Sequence, residues 1–170
     1  GAAVYAVEAA KAFGIDATRR MAGLLVFNSD IHSLGLKNTE GLQFTSSWYW
    51  DLNDETRKFG KRFFDKTKRM PTSIQAADYS ATMNYLKAVE AAKSVDADKV
   101  MAAWRAMPMN DFYASGTLRP DGRYVHDMYL LQVKKPSEST KPWDYFKVVK
   151  KIPGDQIFTT KAESKCALWK

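Results

Sequence analysis

Residues 22–50 constrain this chain more than any other stretch: AGLLVFNSDIHSLGLKNTEGLQFTSSWYW. An apolar run, Leu24-Leu25-Val26-Phe27, stops abruptly at Asn28-Ser29-Asp30. A second short run over residues 41–45 leads into Trp48-Tyr49-Trp50. Short apolar runs bounded by turn residues read as buried strands. Open α/β sheets hold ligands at the polar ends of such strands. The stretch therefore points to a ligand cleft rather than to catalytic machinery.

The remaining pattern is largely helical until its last third. Residues 2–13 are Ala-rich and predict a helix with Val4, Val7 and Lys11 near one face, stopped by Gly14. A buried strand is expected over 21–27, a short helix or turn over 30–36, and a further strand over 41–46. Residues 51–68 predict a helix with Leu52, Phe59 and Phe63 in one stripe. Asn53 or Asp51 caps it, and its acids precede its bases as the macrodipole favours. Met70-Pro71-Thr72 breaks it. The longest helix is expected over 73–93, where Tyr79, Met83, Leu86 and Val89 share a face and Tyr79 reads as core. Asp96 caps a helix over 97–107, with Val100, Trp104 and Met107 on one side, and Pro108 ends it. Pro120-Asp121-Gly122 marks a turn. Residues 124–133 and 145–152 read as strands of an antiparallel hairpin. A polar loop over 134–142 joins them, Pro153-Gly154 closes the hairpin, and the tail to Lys170 reads as irregular.

Bulk properties narrow the function classes. The chain has 170 residues, of which 45% are hydrophobic and 26% charged, enough for a globular fold with a core. No apolar run approaches the roughly 20 residues that span a bilayer. Residues 1–14 lack a signal-peptide pattern, having no basic start and carrying Glu8 and Lys11; without an opening Met, the chain reads as beginning mid-protein. The net charge of +7 comes from Lys and Arg interleaved with acids, as in Asp54-Glu55-Thr56-Arg57-Lys58, with no nucleic-acid motif beside them. A solvated basic surface is expected, and no nucleic-acid partner. The single cysteine, Cys166, excludes a disulfide within the chain.

The order of elements and their residues resemble the C-terminal half of a type I periplasmic solute-binding protein, of the branched-chain amino-acid ABC transporter family. The resemblance runs through Ala9-Ala10-Lys11-Ala12-Phe13-Gly14-Ile15, residues 24–35, Glu40-Gly41-Leu42 and Trp48-Tyr49-Trp50-Asp51-Leu52-Asn53-Asp54. It continues through Met70-Pro71, Ala77-Asp78-Tyr79-Ser80, residues 121–129 and Glu163-Ser164-Lys165-Cys166. The family fold has two α/β lobes joined by three crossover strands, with the ligand between them. The resemblance implies that residues 1–45 belong to the second lobe and 46–50 to a crossover. Residues 51–114 would return to the first lobe, and 115–170 cross back to the second. Most of the first lobe and the beginning of the second would then lie outside this chain, and with them the main clamp for a ligand's α-carboxylate. The implied partners are a small solute, an ABC permease, and either the missing N-terminal half or a second copy.

The resemblance places Phe27, Asn28, Ser29 and Asp30 on the second-lobe side of the cleft. Asn28 and Ser29 suit a polar head group, Asp30 an ammonium, and Phe27 an apolar contact. The competing reading is turn chemistry, since Asn, Ser and Asp also bond their own backbone. Tyr49 is the hinge aromatic of interest, because strand alternation sets it opposite Trp48 and Trp50. Gln75 and Asp78 are weaker cleft candidates. His32 and His126, near Asp30 and Asp127, have no metal-ligand spacing and are read as structural. No Gly-rich phosphate loop and no nucleophile elbow is present.

The expected function is capture of an amino acid or related small carboxylate in the periplasm, without enzymatic turnover, cofactor or metal. The aromatic content permits an aromatic solute. A ligand-sensing domain of the same fold and a fragment of an α/β enzyme are the alternatives.

Overall fold

A computed structural model describes residues 2–169; the side chains of Ala2, Ala3, Val4 and Asp16 are outside the description. The chain forms two compact units. One comprises Gly1–Ser73 and Tyr129–Lys151, the other Ile74–Met128 and Ile152–Lys170. Lobe membership in a larger fold is a different property from compactness within this chain.

The first unit is built on a four-stranded sheet. Helix α1 (Ala2–Ala12) ends at Gly14, whose φ of 65° suits a residue without a Cβ. Of the face expected to turn inward, Val7 is buried, while Val4 is outside the described side chains. Strand β1 (Ala22–Gly23) pairs in parallel with β2 (Gln43–Ser46), Ala22 opposite Gln43. Strand β2 runs antiparallel to β6 (Met128–Val133), with Phe44 opposite Leu131, and β7 (Phe146–Ile152) completes the order β1-β2-β6-β7. The expected hairpin is present: Lys134 N–H donates to the Tyr145 carbonyl at its mouth, 2.8 Å away.

The expected strand over 21–27 shrinks to two residues. β1 lies at the sheet edge, and past Gly23 the chain leaves the ladder, so Leu24 and Leu25 are 93% and 75% exposed. Val26 and Phe27 turn back inward, Val26 being buried. Helix formation then starts earlier than expected. Asn28-Ser29-Asp30 is the first turn of α2 (Asn28–Leu34), followed by α3 (Leu36–Thr39).

The aromatic run after β2 is held by one carbonyl. Trp143 has φ 67° in the loop between β6 and β7. Its carbonyl accepts from Tyr49 Oη and from Trp50 Nε1, both at 3.0 Å. Tyr49 Oη in turn accepts from Tyr145 N–H at 3.2 Å. Trp48, Tyr49 and Trp50 are all buried, at 2%, 5% and 6% exposure. The expected alternation fails because β2 ends at Ser46, so successive residues no longer face opposite sides. Phe146 stands edge-on to Phe44 and tilted against Tyr49, while Trp48 meets Phe59 edge-on. Phe59 belongs to α4 (Asp54–Thr67), capped as expected by Asn53, whose Oδ1 accepts from Thr56 N–H at 3.0 Å.

The loop's own anchor is Asp144, buried and paired with Lys134. Its second oxygen accepts from Thr140 N–H at 2.9 Å and from the Thr140 hydroxyl at 3.2 Å. Burial pushes its carboxyl up, but the Lys134 ammonium and the Thr140 donors outweigh it and hold it below the ordinary value of 3.8.

The second unit contains most of α5 (Ser73–Ala92), then α6 (Ala97–Ala106) and a three-stranded sheet in the order β3-β4-β5. Strands β3 (Met109–Asn110) and β4 (Ser115–Leu118) were not legible as strands; β5 (Tyr124–His126) is cut from β6 at Asp127. One expected strand, 124–133, therefore serves two sheets. Gly154 packs where an added Cβ would lie 2.7 Å from the His126 carbonyl oxygen, and its N–H donates to Asp127 Oδ1.

Helix α5 corrects the sequence reading most sharply. Its buried face is Ala76, Ser80, Asn84 and Ala88, whereas Tyr79, Met83 and Leu86 are 41%, 38% and 51% exposed. The buried polar pair has a partner. Asp111 Oδ2 accepts from Ser80 Oγ at 2.6 Å and from Asn84 Nδ2 at 3.0 Å. Satisfied polar groups can be buried at little cost, and small residues let the helix approach closely.

Two outcomes follow for stability. Tyr49→Phe removes a buried donor to the Trp143 carbonyl and one of the two acceptors of Tyr145 N–H, the other being that same carbonyl at 3.0 Å, which should cost about 1 kcal/mol in chemical denaturation. Asp144 has a folded pKa below its unfolded one, so its contribution is present above the ordinary value of 3.8 and is lost as pH falls through the folded value. Asp144→Asn should lower stability at pH 7 by about 3 kcal/mol. It should also flatten the loss of stability below pH 4 in a melting series.

Candidate functional site

The N-terminal turn of α2 and the residues before it border two hollows of the first unit. The smaller, of about 10 Å³, is lined by Phe27, Asn28, Ser46, Tyr49, Pro71 and neighbouring rings. Such a volume matches one water-sized group. The larger, of about 710 Å³, is apolar and open, lined by Val7, Leu24, Leu25, Phe27, Asp30 and Leu42 among others.

The structure brings some of the expected residues together and separates others. Phe27 borders both hollows; Asn28 and Tyr49 border the small one; Asp30 borders the large one; Ser29 lines neither. Asn28 is 4% exposed, and its Nδ2 donates to the Pro71 carbonyl at 3.1 Å. Its Oδ1 is buried without a hydrogen-bond partner among the described residues. A buried acceptor left open costs free energy unless a donor reaches it.

Asp30 is engaged in local structure. Its Oδ2 accepts from Phe27 N–H at 2.9 Å and so satisfies the start of α2. Ser29 is exposed, its carbonyl taking the Ser33 hydroxyl at 3.1 Å. Tyr49 is buried with both hydroxyl functions spent on backbone, and burial pushes its pKa up. Asp30 is thus tied into the helix start, and Tyr49 into the core.

Other candidates lie elsewhere. Gln75 and Asp78 are exposed on α5. His32 is stacked on Trp143 at 4.0 Å and lies 2.6 Å from Tyr145 Oη through Nδ1. His126 is buried in the other unit. No cluster of three or more metal-ligating side chains occurs among the described residues. Nor is any described helix long and apolar enough to cross a membrane. Sequence reasoning missed Leu24 and Leu25 as exposed residues, because an apolar run signals burial by default. It also missed Pro71 as the partner of Asn28, since 43 residues separate them.

The chain has clear relatives. The profile of the family described as periplasmic binding protein matches residues 1–140. No curated protein matches the chain. Among solved structures, a periplasmic binding protein from Burkholderia mallei is 57% identical, with a TM-score of 0.95 over 100% of this chain and 45% of that one. A branched-chain amino acid ABC transporter periplasmic ligand-binding protein from Burkholderia xenovorans is 41% identical, with a TM-score of 0.90 over 99% of this chain and 46% of its own. The isoleucine complex of a branched-chain amino acid substrate-binding protein from Streptococcus pneumoniae shares the fold at 12% identity and a TM-score of 0.68, over 88% of this chain and 40% of its own. The chain thus spans less than half the length of these structures. On the match over residues 1–140, the chain belongs to the periplasmic binding protein family.

Proposed function

We propose that this chain is part of an extracytoplasmic solute-binding protein that holds an amino acid or related small carboxylate between two lobes and delivers it to an ABC permease from the periplasm. The single observation that carries this is the 41% identity, over 99% of the chain, to a branched-chain amino acid ABC transporter ligand-binding protein. In this reading, residues 1–45 contribute to the second lobe, 46–50 are a crossover, 51–114 contribute to the first lobe, and 115–170 cross back. No covalent chemistry is needed; domain closure around the solute supplies retention.

The proposed contacts are Phe27, Asn28, Ser29, Asp30 and Tyr49, with unequal roles. Asn28 Oδ1 is an open, buried acceptor suited to a solute N–H or O–H. Ser29 carries a hydroxyl on an exposed turn. Asp30 and Tyr49 shape the site through the hydrogen bonds described above. The apolar hollow beside Leu24, Leu25 and Phe27 suits an aliphatic or aromatic side chain.

Apolar side chains left exposed here point to a partner layer. Leu24, Leu25, Ile74, Met83 and Leu86 are all at least 38% exposed. The proposed cover is the N-terminal half of the two-lobed protein or, in its absence, a second copy. Sedimentation of the 170-residue chain should show association rising with concentration. A compact monomer throughout would remove this part of the proposal.

Calorimetry on the two-lobed protein tests the site. Ser29→Ala should weaken cognate amino-acid binding by roughly tenfold with an unchanged melting temperature. Asn28→Ala should weaken binding and also lower stability, because the bond to Pro71 goes with it. If no amino acid or small carboxylate binds the parent protein, the functional reading fails. If solute binds and both variants retain full affinity, the site assignment fails alone.

A further inference from the structure

We propose that the second unit carries a small-molecule site of its own: a pocket for a neutral, phenol-like ring whose hydroxyl donates to His126 Nε2. The pocket is formed wholly within Ile74–Met128 and Ile152–Lys170 and has a volume of about 440 Å³. That falls within the range of small-ligand pockets. The proposal does not depend on the transport reading.

The walls define the shape of the guest. Helix α5 contributes the small side chains Ala77 and Ala81, which leave room, and Tyr113, Tyr124 and Phe158 also line the pocket. These three rings surround the His126 imidazole at centroid distances of 5.4, 5.0 and 5.7 Å. Aromatic walls of this kind favour a flat ring, through edge-to-face and offset contacts.

Polar chemistry selects the substituent. His126 is 9% exposed, and its Nδ1 lies 2.7 Å from the Asp127 carbonyl oxygen. A carbonyl only accepts, so Nδ1 carries the proton and Nε2 of the neutral ring presents a bare lone pair. No described residue bonds to it. Several of the pocket's other polar side chains are committed. Ser80 and Asn84 bond Asp111, Asp121 is held by Arg119 at 2.5 Å, and Tyr124 Oη donates to the Ala114 carbonyl at 2.9 Å. His126 Nε2 is therefore an open acceptor, which selects a donor. A cation would meet the Arg123 guanidinium, which stands 5.7 Å from the Phe158 ring centroid at the same wall. A neutral hydroxyl on an aromatic ring satisfies both the walls and the acceptor.

The probe is 4-methylphenol, with toluene as the same shape without the donor. Titration into the ¹⁵N-labelled 170-residue chain should give saturable binding that shifts the His126 Nε2 resonance, with toluene about tenfold weaker. Ala81→Phe should abolish binding of both by filling the pocket. His126→Phe should reduce 4-methylphenol to the affinity of toluene. The parent titration needs no variant, so a variant that fails to fold leaves the test intact. Equal affinities for the two probes, or no saturable shift at Nε2, overturn the proposal. So does binding that Ala81→Phe, shown folded by circular dichroism, leaves unchanged. Binding to this chain but not to the two-lobed protein also overturns it, by showing that the pocket is covered by another part of that protein.

Discussion

One backbone carbonyl organises the first unit. Trp143 accepts from Tyr49 and Trp50 at once, and Tyr145 N–H closes the circuit onto Tyr49. The buried Tyr49 hydroxyl and Trp50 indole N–H, and the half-buried Tyr145 N–H, are thereby satisfied by protein partners. Bulky aromatics bury large apolar areas, but Tyr and Trp can do so only where their polar atoms find partners. The Trp143 loop supplies those partners, and Asp144 with Lys134 keeps the loop in place. The position of the residues following β2, and hence the floor of the small hollow beside Asn28, depends on this arrangement.

The second unit solves burial differently. Helix α5 turns a narrow stripe of Ala, Ser and Asn inward and leaves larger apolar residues outside. Asp111 makes this possible, because a single carboxylate takes both Ser80 and Asn84. A helix with two usable faces is suited to standing between layers. That property agrees with a family whose solved members are more than twice as long as this chain.

In the proposed reading, the short segment at the start of α2 serves structure and recognition together. Asp30 completes the helix start, which holds Asn28 with its amide nitrogen on Pro71 and its oxygen open. Preorganising an acceptor in this way means that little ordering remains when a donor arrives. The same logic applies in the second unit, where Asp127 sets the tautomer of His126 and leaves one nitrogen bare.

Local signals in the sequence determined the helices and their ends: Gly14 after α1, the Asn53 cap of α4, the Asp96 cap of α6, and the break at Pro71. These depend on a few neighbouring residues, so they survive any packing. The family was also legible, because it rests on the order of many short segments. Packing partners were decided by the tertiary structure alone. The apolar run 24–27 is split between solvent and core because β1 has only one neighbouring strand. The stripe at Tyr79, Met83 and Leu86 lies outside because Asp111, distant in sequence, makes the opposite face the better one to bury. Strands β3 and β4 escaped notice because two and four residues carry no alternation to read. Asn28 found Pro71, and Tyr49 found Trp143, across 43 and 94 residues. Periodicity reports which face of an element is apolar, but only the surrounding fold decides which face meets a partner.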